Sequence, residues 1–165
     1  MPDINFCLRC GHAVEHRAAY GRVRPVCPAC GHVHFIDPKV AVAVVIEREG
    51  QVLLVKRANP PEQGQWSFPA GFVDKGEDPT RAAEREAEEE TGLTVRAAQL
   101  LDVVAKAAPA EGADILIVYR AEVVSGGLAP GDDAAEARFF GPAEIPSDLA
   151  FPSTRKIIAE WGAKM

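Results

Sequence analysis

The segment from Gly71 to Leu93, GFVDKGEDPTRAAEREAEEETGL, constrains this chain more than any other, because it predicts a helix with two marked ends. Asp78 can cap the N-terminus, and Pro79 fits the first helical position, where a missing N–H costs nothing. Gly92 can adopt the left-handed conformation that ends a helix. The residues between are mostly strong helix formers. The sequence therefore predicts a short helix that follows a glycine-containing loop.

One face of this predicted helix is acidic. Glu86, Glu89 and Glu90 stand at positions i, i+3 and i+4, so their carboxylates lie on the same face. Like charges repel one another, and a hard divalent cation with oxygen ligands would turn that repulsion into binding energy. Mg²⁺ suits a site that must also hold phosphate. We therefore predict that these three glutamates are magnesium ligands. A small apolar patch suited to close packing on a sheet is formed by Ala82, Ala83 and Ala87.

The loop before the helix contains Gly71 and Gly76, which allow backbone conformations closed to other residues. Such a loop can bring Glu77 round to the acidic face. The whole segment resembles the Nudix box, G-x5-E-x7-R-E-U-x-E-E-x-G-U, in which U is an aliphatic residue. The matching residues are Gly71, Glu77, Arg85, Glu86, Ala87, Glu89, Glu90, Gly92 and Leu93.

The resemblance implies an α/β fold, the Nudix α/β/α sandwich around a mixed sheet. It also implies hydrolysis of a nucleoside diphosphate linked to another moiety, with Mg²⁺ or Mn²⁺ held by the box glutamates. Arg85 would pair with a box glutamate, and Glu77 would complete the charged frame. One carboxylate of the group would take the proton of the attacking water, with Glu136 as a possible alternative. For Glu136, a salt bridge to Arg138 or another neighbour is an equally good interpretation.

All four cysteines lie near the N-terminus, in the pattern Cys7-x2-Cys10-x16-Cys27-x2-Cys30, and the hexads CLRCGH and CPACGH repeat. This spacing predicts a small zinc ribbon with four thiolate ligands. Two disulfides are the alternative, which a cytosolic setting disfavours. We expect the histidines to lie on the surface or around the thiolates (His12, His16, His32, His34). Nucleic-acid contacts are a further possibility for Tyr20, Arg17, Arg22 and Arg24, although a structural cap or a dimer contact fits the ribbon better.

The chain divides into a predicted ribbon at residues 1–36 and a predicted Nudix domain at residues 37–165. Apolar runs predict strands at Val40–Ile46, Gln51–Arg57, Thr94–Val104 and Ile115–Val124. The first of these runs is nearly continuous, which indicates a strand buried on both faces. Ser153 is predicted to cap a final amphipathic helix that runs through Trp161.

Four residues near the box are candidate substrate contacts. Arg57 ends a strand and is either a phosphate ligand or a solvated charge. Trp66 and Phe68 either stack on a base or pack in the core. Gly71 belongs to the loop that lines the substrate site in the Nudix family.

Charge and hydropathy exclude some partners. The chain has a net charge of −6, of which residues 1–36 carry +2 and the rest carries −8. An acidic body argues against broad binding to duplex nucleic acid, although bound Mg²⁺ would still allow a small phosphorylated substrate. The sequence contains no apolar run long enough for a transmembrane helix and no secretory signal. We therefore expect a cytoplasmic protein with no membrane partner.

The predicted substrate class rests on motifs outside the Nudix box, which are compared with those of two groups of Nudix pyrophosphatases. The S-Q-P-W-P-F-P-x-S motif that follows the box in NADH pyrophosphatases is absent from residues 94–110, TVRAAQLLDVVAKAAPA. The ribbon, the box and the tail APGDDAAEARFFGPAEIPSDLAFPS are similar to those of ribbon-bearing ADP-ribose/FAD pyrophosphatases of the plant chloroplast type. We therefore predict cleavage of ADP-ribose or FAD to AMP and a phosphorylated remainder.

Other functions stay open at this point. An NADH pyrophosphatase, or an RNA nucleotide-cap hydrolase that grips RNA with its ribbon, would use the same box. A non-catalytic ADP-ribose sensor is a third class, but the intact box counts against it. Nudix pyrophosphatases are often dimers, so a homodimer is possible.

Overall fold

The computed structural model describes residues 4–105 and 112–163, and the chain forms two compact units, Met1–Pro38 and Lys39–Met165. The first unit contains an antiparallel hairpin of β1 (Glu15–Ala19) and β2 (Arg22–Val26). A cysteine-containing turn precedes this hairpin and another follows it.

The second unit contains one mixed sheet and two α-helices. Its strands are β3 (Val40–Arg48), β4 (Gln51–Arg57), β5 (Trp66–Ser67), β6 (Ala70–Phe72), β7 (Leu93–Ala105), β8 (Ile115–Gly126) and β9 (Ala134–Phe140). The helices are α1 (Pro79–Thr91) and α2 (Pro152–Gly162), with a short 3-10 helix at Pro142–Glu144. The helices span 13 and 11 residues, so neither helix of the described residues has the length and apolar character of a membrane span.

Strand β3 organises the sheet. It pairs in parallel with β8 and antiparallel with β6, and its C-terminal end forms a hairpin with β4. Strand β7 pairs antiparallel with β8, and β4 pairs antiparallel with both β5 and β9. The parallel β3–β8 pair among antiparallel neighbours makes the sheet mixed, which confirms the predicted class.

Alternating residues of β3 divide the core into two apolar clusters. Val42, Val44 and Ile46 pack in the cluster that contains the alanine patch of α1. Ala43 and Val45 pack in the other cluster, which contains three residues of α2 (Ile157, Ile158, Trp161). Successive side chains of a strand point to opposite faces, so the two helices cover opposite faces of the sheet. The result is the expected α/β/α sandwich, with β3 buried on both faces as its composition predicts.

The ends of α1 agree with the sequence. The Asp78 carboxylate accepts a hydrogen bond from the Thr80 N–H at 2.8 Å, Pro79 occupies the first helical position, and Gly92 has φ = 69°. The Gly92 N–H donates to the Glu88 carbonyl at 2.8 Å, which closes the last turn. The helix is therefore fixed at both ends, and its acidic face has a defined position.

The predicted start of the last helix was wrong. Helix α2 begins at Pro152 rather than after Ser153, its N-cap is Phe151, and no side chain caps it. The physical reason is that proline already has the φ angle of a helix and lacks the N–H that the first turn leaves unpaired. Ser153 consequently lies inside the first turn.

Candidate active site

Two of the three acidic-face glutamates are buried. Glu86 is 8% exposed and Glu90 is 5% exposed, whereas the Glu89 side chain is 45% exposed. The Glu90 carboxylate accepts a hydrogen bond from the Ala70 N–H at 3.1 Å, which fixes it beside β6. A Cβ atom at Gly71 would lie 2.0 Å from the carboxyl carbon of Glu86, so only glycine leaves room for that carboxylate.

Arg85 connects the loop before α1 to the acidic face. Its Nε and Nη2 atoms each donate to one Glu77 oxygen at 2.9 Å, a bidentate pair. Its Nη1 donates to Glu86 at 2.7 Å and to Glu89 at 3.0 Å, and Nη2 also reaches the Phe72 carbonyl at 3.1 Å. One guanidinium thus holds three carboxylates and the loop backbone in fixed positions.

The carboxylates of the cluster have different proton affinities. The hydrogen bonds from Arg85 hold the pKa of Glu77 at about 2, so this residue is a permanent anion near neutral pH. Burial raises the pKa of Glu90 to about 8, although the Ala70 N–H opposes the shift. Burial also raises the pKa of Glu86, against the opposing effect of Arg85. Around the buried carboxylates, Glu86 and Glu90, there is therefore too little positive charge to favour their ionised forms.

This donor set fits a hard divalent cation. Glu86, Glu89 and Glu90 offer only oxygen atoms, which Mg²⁺ and Mn²⁺ prefer. Burial removes the water that would stabilise the negative charges of Glu86 and Glu90, and a cation beside them would stabilise their ionised forms instead. These three glutamates are the residues that would hold it.

A cavity of about 240 Å³ adjoins the acidic face. Glu90 lies in its wall, together with Gly71, Phe68 and Arg57. The Arg57 Nε donates to the Pro61 carbonyl at 2.7 Å, and its guanidinium carbon lies 5.1 Å from the centre of the Phe151 ring. Three of the four predicted substrate contacts thus line one cavity beside the glutamates.

Two predicted site residues lie elsewhere. Trp66 packs in the core with its ring 4.9 Å from that of Phe140, and it is not among the residues that line the cavity. Glu136 lies on β9 opposite Lys56, and their side chains form a 2.9 Å salt bridge. Glu136 therefore has a neighbouring cation as its partner, which is the interpretation that competes with a catalytic role.

The structure places two further acidic residues, Asp132 and Asp133, beside the glutamates. No role was predicted for either of them from the sequence. Asp133 lines the cavity and accepts a hydrogen bond from the Asn59 amide at 2.5 Å. In addition to burial, the charge of Asp133 raises the pKa of Glu90, and that of Asp132 raises the pKa of Glu86. Their acidic character was visible in the sequence, but their position depends on tertiary packing. The Gly131 N–H donates to the Glu90 carbonyl at 3.2 Å, which anchors their loop to the end of α1.

Comparison with known proteins identifies the family. The family model of the NUDIX domain matches residues 37–161. The chain belongs to the Nudix family. An ADP-ribose pyrophosphatase of Methanocaldococcus jannaschii is 41% identical over 128 residues, which are 77% of this chain and 75% of that protein.

Two further relatives extend over the N-terminal unit of this Nudix protein. A crystal structure of a NUDIX hydrolase from Nitrosomonas europaea has a TM-score of 0.84 and 32% identity, and the match covers 98% of this chain and 92% of that one. A NAD-capped RNA hydrolase, NudC, of Stutzerimonas stutzeri is 29% identical over 94% of this chain. The match spans only 54% of that hydrolase, about half its length.

The four cysteines of this Nudix protein form a second candidate metal centre. The sulfur atoms of Cys7, Cys10, Cys27 and Cys30 all lie within 4.8 Å of one another, and none is in a disulfide. Burial opposes ionisation of Cys27, but the Cys30 N–H, the Cys10 thiol and the Ala29 N–H lower its pKa to about 7. Zinc binds thiolates, so this set of four soft ligands fits Zn²⁺.

The first prediction concerns Gly71. In Gly71→Ala, the new methyl group displaces the end of the flexible Glu86 side chain rather than the backbone, so the protein folds but its acidic face is disordered. We expect hydrolysis of its best pyrophosphate substrate to fall about 100-fold, with little change in the thermal unfolding midpoint. Gly127→Ala, at a position with open space, is the matched control. A Gly71→Ala enzyme with the wild-type rate would contradict this role.

The second prediction concerns acid stability. The folded-state pKa of Glu77 is about 2, below its ordinary value of 4.5, so ionised Glu77 stabilises the fold above pH 4.5. That contribution is lost as the pH falls from 4.5 towards 2. In urea unfolding, Glu77→Gln should be less stable than the wild type at neutral pH, and the two should converge in acid. Glu88→Gln, at an exposed position of α1, should follow the wild type throughout. A gap between wild type and Glu77→Gln that stays constant down to pH 3 would refute the assignment.

The third prediction concerns the cysteine cluster. The purified protein should contain about one zinc ion per chain, and Cys27→Ser should lose it while Ala29→Ser keeps it. Elemental analysis gives the zinc content, and a thiol reagent should react quickly only after chelation. Zinc-free wild-type protein with two disulfides would instead support the alternative interpretation of the cysteine pattern.

Proposed function

We propose that this Nudix protein hydrolyses the pyrophosphate bond of ADP-ribose or FAD with Mg²⁺ or Mn²⁺, releasing AMP and a phosphorylated remainder. The observation that carries the proposal is the double position of Glu90, which belongs both to the acidic face of α1 and to the wall of the cavity. A phosphoanhydride bound in this cavity would lie directly beside the carboxylates.

Different residues of the chain would bind the metal ion, position the carboxylates, accept the proton and contact the phosphate. Glu86, Glu89 and Glu90 would hold the divalent cation, which when bound neutralises pyrophosphate oxygens and lowers the pKa of water. Arg85 would keep the carboxylates in register through its five hydrogen bonds. A carboxylate of the cluster would accept the proton of the attacking water. Arg57, in the cavity wall, would face the phosphoryl oxygens.

The choice of ADP-ribose or FAD as the substrate rests on the similarity of this chain to other pyrophosphatases. The 41% identical relative from Methanocaldococcus jannaschii is an ADP-ribose pyrophosphatase, and its match covers most of the Nudix domain. The complete box also favours an enzyme over a sensor. Phe72, which is 48% exposed, lies in the wall of the cavity, where its ring could stack on a base.

A second candidate, hydrolysis of nucleotide-capped RNA, is favoured by the surface of the ribbon hairpin. Arg17 and Arg24 lie directly opposite each other on β1 and β2, so their charges repel unless an anion lies between them. The Arg24 guanidinium carbon lies 4.5 Å from the centre of the Phe35 ring. The centre of the exposed Tyr20 ring lies 5.6 Å from the centre of the same Phe35 ring. Exposed aromatic rings beside arginines suit single-stranded nucleic acid.

A product assay distinguishes these functions. Purified protein with Mg²⁺ is incubated with ADP-ribose, FAD, NADH and an NAD-capped RNA, and the products are separated by chromatography. We expect AMP from ADP-ribose or FAD, loss of this activity in Glu89→Gln, and an unchanged rate in Glu88→Gln. Cleavage of NADH or the capped RNA alone would overturn the proposal. If the RNA is the substrate, triple replacement of Arg17, Arg22 and Arg24 with glutamine should weaken its binding and reduce the salt dependence.

A further inference from the structure

The two cysteine turns of the first unit repeat each other in backbone structure as well as in sequence. The Gly11 N–H donates to the Cys7 carbonyl at 2.8 Å, and the Gly31 N–H donates to the Cys27 carbonyl at 2.9 Å. Both glycines are left-handed, with φ values of 73° and 72°. Each residue of the first turn therefore has a counterpart in the second turn, as Cys7 has in Cys27.

One position breaks this repeat. Counted from the first cysteine of each turn, His34 is the counterpart of Val14. The two residues make the same backbone contact, because the Val14 N–H donates to the Asn5 carbonyl at 3.0 Å and the His34 N–H donates to the Pro25 carbonyl at 2.9 Å. The backbone of the turn thus accepts an aliphatic residue at this position and does not itself require a histidine.

The His34 side chain is buried although it is polar. It is 3% exposed, whereas His12 and His16 lie on the surface. The His32 ring packs edge-on against it, with the ring centres 4.6 Å apart, and this contact limits its rotation. Its Nε2 atom is buried and has no oxygen or nitrogen partner in the described part of the chain. Burial of such a group is costly without a polar neighbour, so the position of His34 indicates one of another kind.

The Cys7 sulfur is that neighbour. Burial raises the pKa of the Cys7 thiol, but the Arg9 and Cys10 N–H groups, the His34 side chain and the Cys30 thiol lower it below its ordinary value. Cys7 is itself only 3% exposed, and its sulfur belongs to the cluster of four described above. The imidazole therefore lies against one of the four candidate metal ligands.

The matching sulfur of the second turn has no such contact. Cys27 is fully buried, and its hydrogen-bonding neighbours among the described residues are the Cys30 and Ala29 N–H groups and the Cys10 and Cys30 thiols. The cysteine centre is thus symmetric in its backbone and asymmetric in the side chains around its sulfur atoms. The asymmetry comes from the one position at which the repeat has histidine in place of valine.

We propose that His34 is a positioning residue of the cysteine centre, which donates a hydrogen bond from its imidazole to the Cys7 thiolate and so strengthens zinc binding. A neutral imidazole has one N–H to donate, and this bond fixes which ring nitrogen carries it. A donor beside a ligating atom stabilises its charge and orients it, and loss of such a partner lowers metal affinity about 10- to 100-fold. The inference concerns the first unit alone and does not depend on the proposed hydrolysis.

Zinc affinity provides the first test, measured on the full chain by competition with a chromophoric chelator. His34→Val introduces the residue that the first turn has at this position, and His34→Gln keeps an N–H donor. We expect His34→Val to bind zinc at least about 10-fold more weakly than the wild type, and His34→Gln to recover most of this loss. His16→Val, at an exposed position of β1, is the matched control and should bind as the wild type does.

A spectroscopic readout distinguishes positioning from packing. In the cobalt-substituted protein, a hydrogen bond to a thiolate lowers the energy of the sulfur electrons, so its loss shifts the sulfur-to-cobalt charge-transfer absorption to longer wavelength. We expect this shift in His34→Val but not in His34→Gln or His16→Val.

The wild type supplies a further measurement that does not depend on the folding of any variant. With NMR-active cadmium in the cysteine centre, a hydrogen bond to the Cys7 sulfur transmits a coupling between the metal and the proton of the His34 ring nitrogen. We expect this coupling in the wild-type protein.

Three outcomes would overturn the proposal. Wild-type zinc affinity in His34→Val would show that the imidazole contributes nothing to the centre. If both His34 variants bind zinc equally weakly and keep the wild-type cobalt absorption, His34 only fills space. A cadmium-loaded wild type without coupling to a His34 ring proton would show that the ring N–H does not bind the sulfur.

Discussion

The carboxylates around α1 repel one another, and the structure of the second unit depends on how this repulsion is relieved. Arg85 relieves much of it. Its guanidinium contacts Glu77, Glu86 and Glu89, and it also donates to the Phe72 carbonyl. The same side chain thus offsets part of the negative charge of the cluster and connects α1 to the preceding loop. A lysine in this position would provide one compact charge without the planar fork that the Glu77 pair requires. The box loop and the helix are therefore a single electrostatic unit.

Small residues allow this unit to approach the sheet. The three alanines of α1 are fully buried, so the helix lies close to β3, and Gly71 leaves space for the Glu86 carboxylate. Close packing brings Glu90 within hydrogen-bond distance of the Ala70 N–H and into the cavity wall. Burial then raises the pKa of Glu90 to about 8, which a cation would reverse. Packing and metal chemistry thus depend on the same few residues.

Features fixed by local chemistry were predictable from the sequence. The ends of α1 follow from Asp78, Pro79 and Gly92, and the buried strand β3 follows from its continuous apolar run. The convergence of four cysteines follows from repeated spacing. These signals lie within a few residues of the structure that they determine.

Features that depend on long-range packing were not predictable. Nothing in the spacing of the chain connects Asp133 with Glu90. Backbone hydrogen bonds from Gly131 to Glu90 and from Ala58 to Asp133 bring them together in the fold. Trp66 and Phe68 are equally aromatic, but only Phe68 reaches the cavity. The start of α2 is a different case, because its cause is local. Pro152 is visible in the sequence and begins the helix, so Ser153, the expected cap, lies inside the first turn and in the cavity wall.

The most direct test of the account is Mn²⁺ binding to the wild type and to Glu90→Gln, measured by electron paramagnetic resonance. The central claim is that the acidic face of α1 and the cavity form one metal-dependent site. It predicts that the wild type binds Mn²⁺, that Glu90→Gln binds it at least about 10-fold more weakly, and that AMP perturbs the spectrum of the bound ion. Undiminished Mn²⁺ binding in Glu90→Gln, or a bound ion that does not respond to AMP, would contradict the claim.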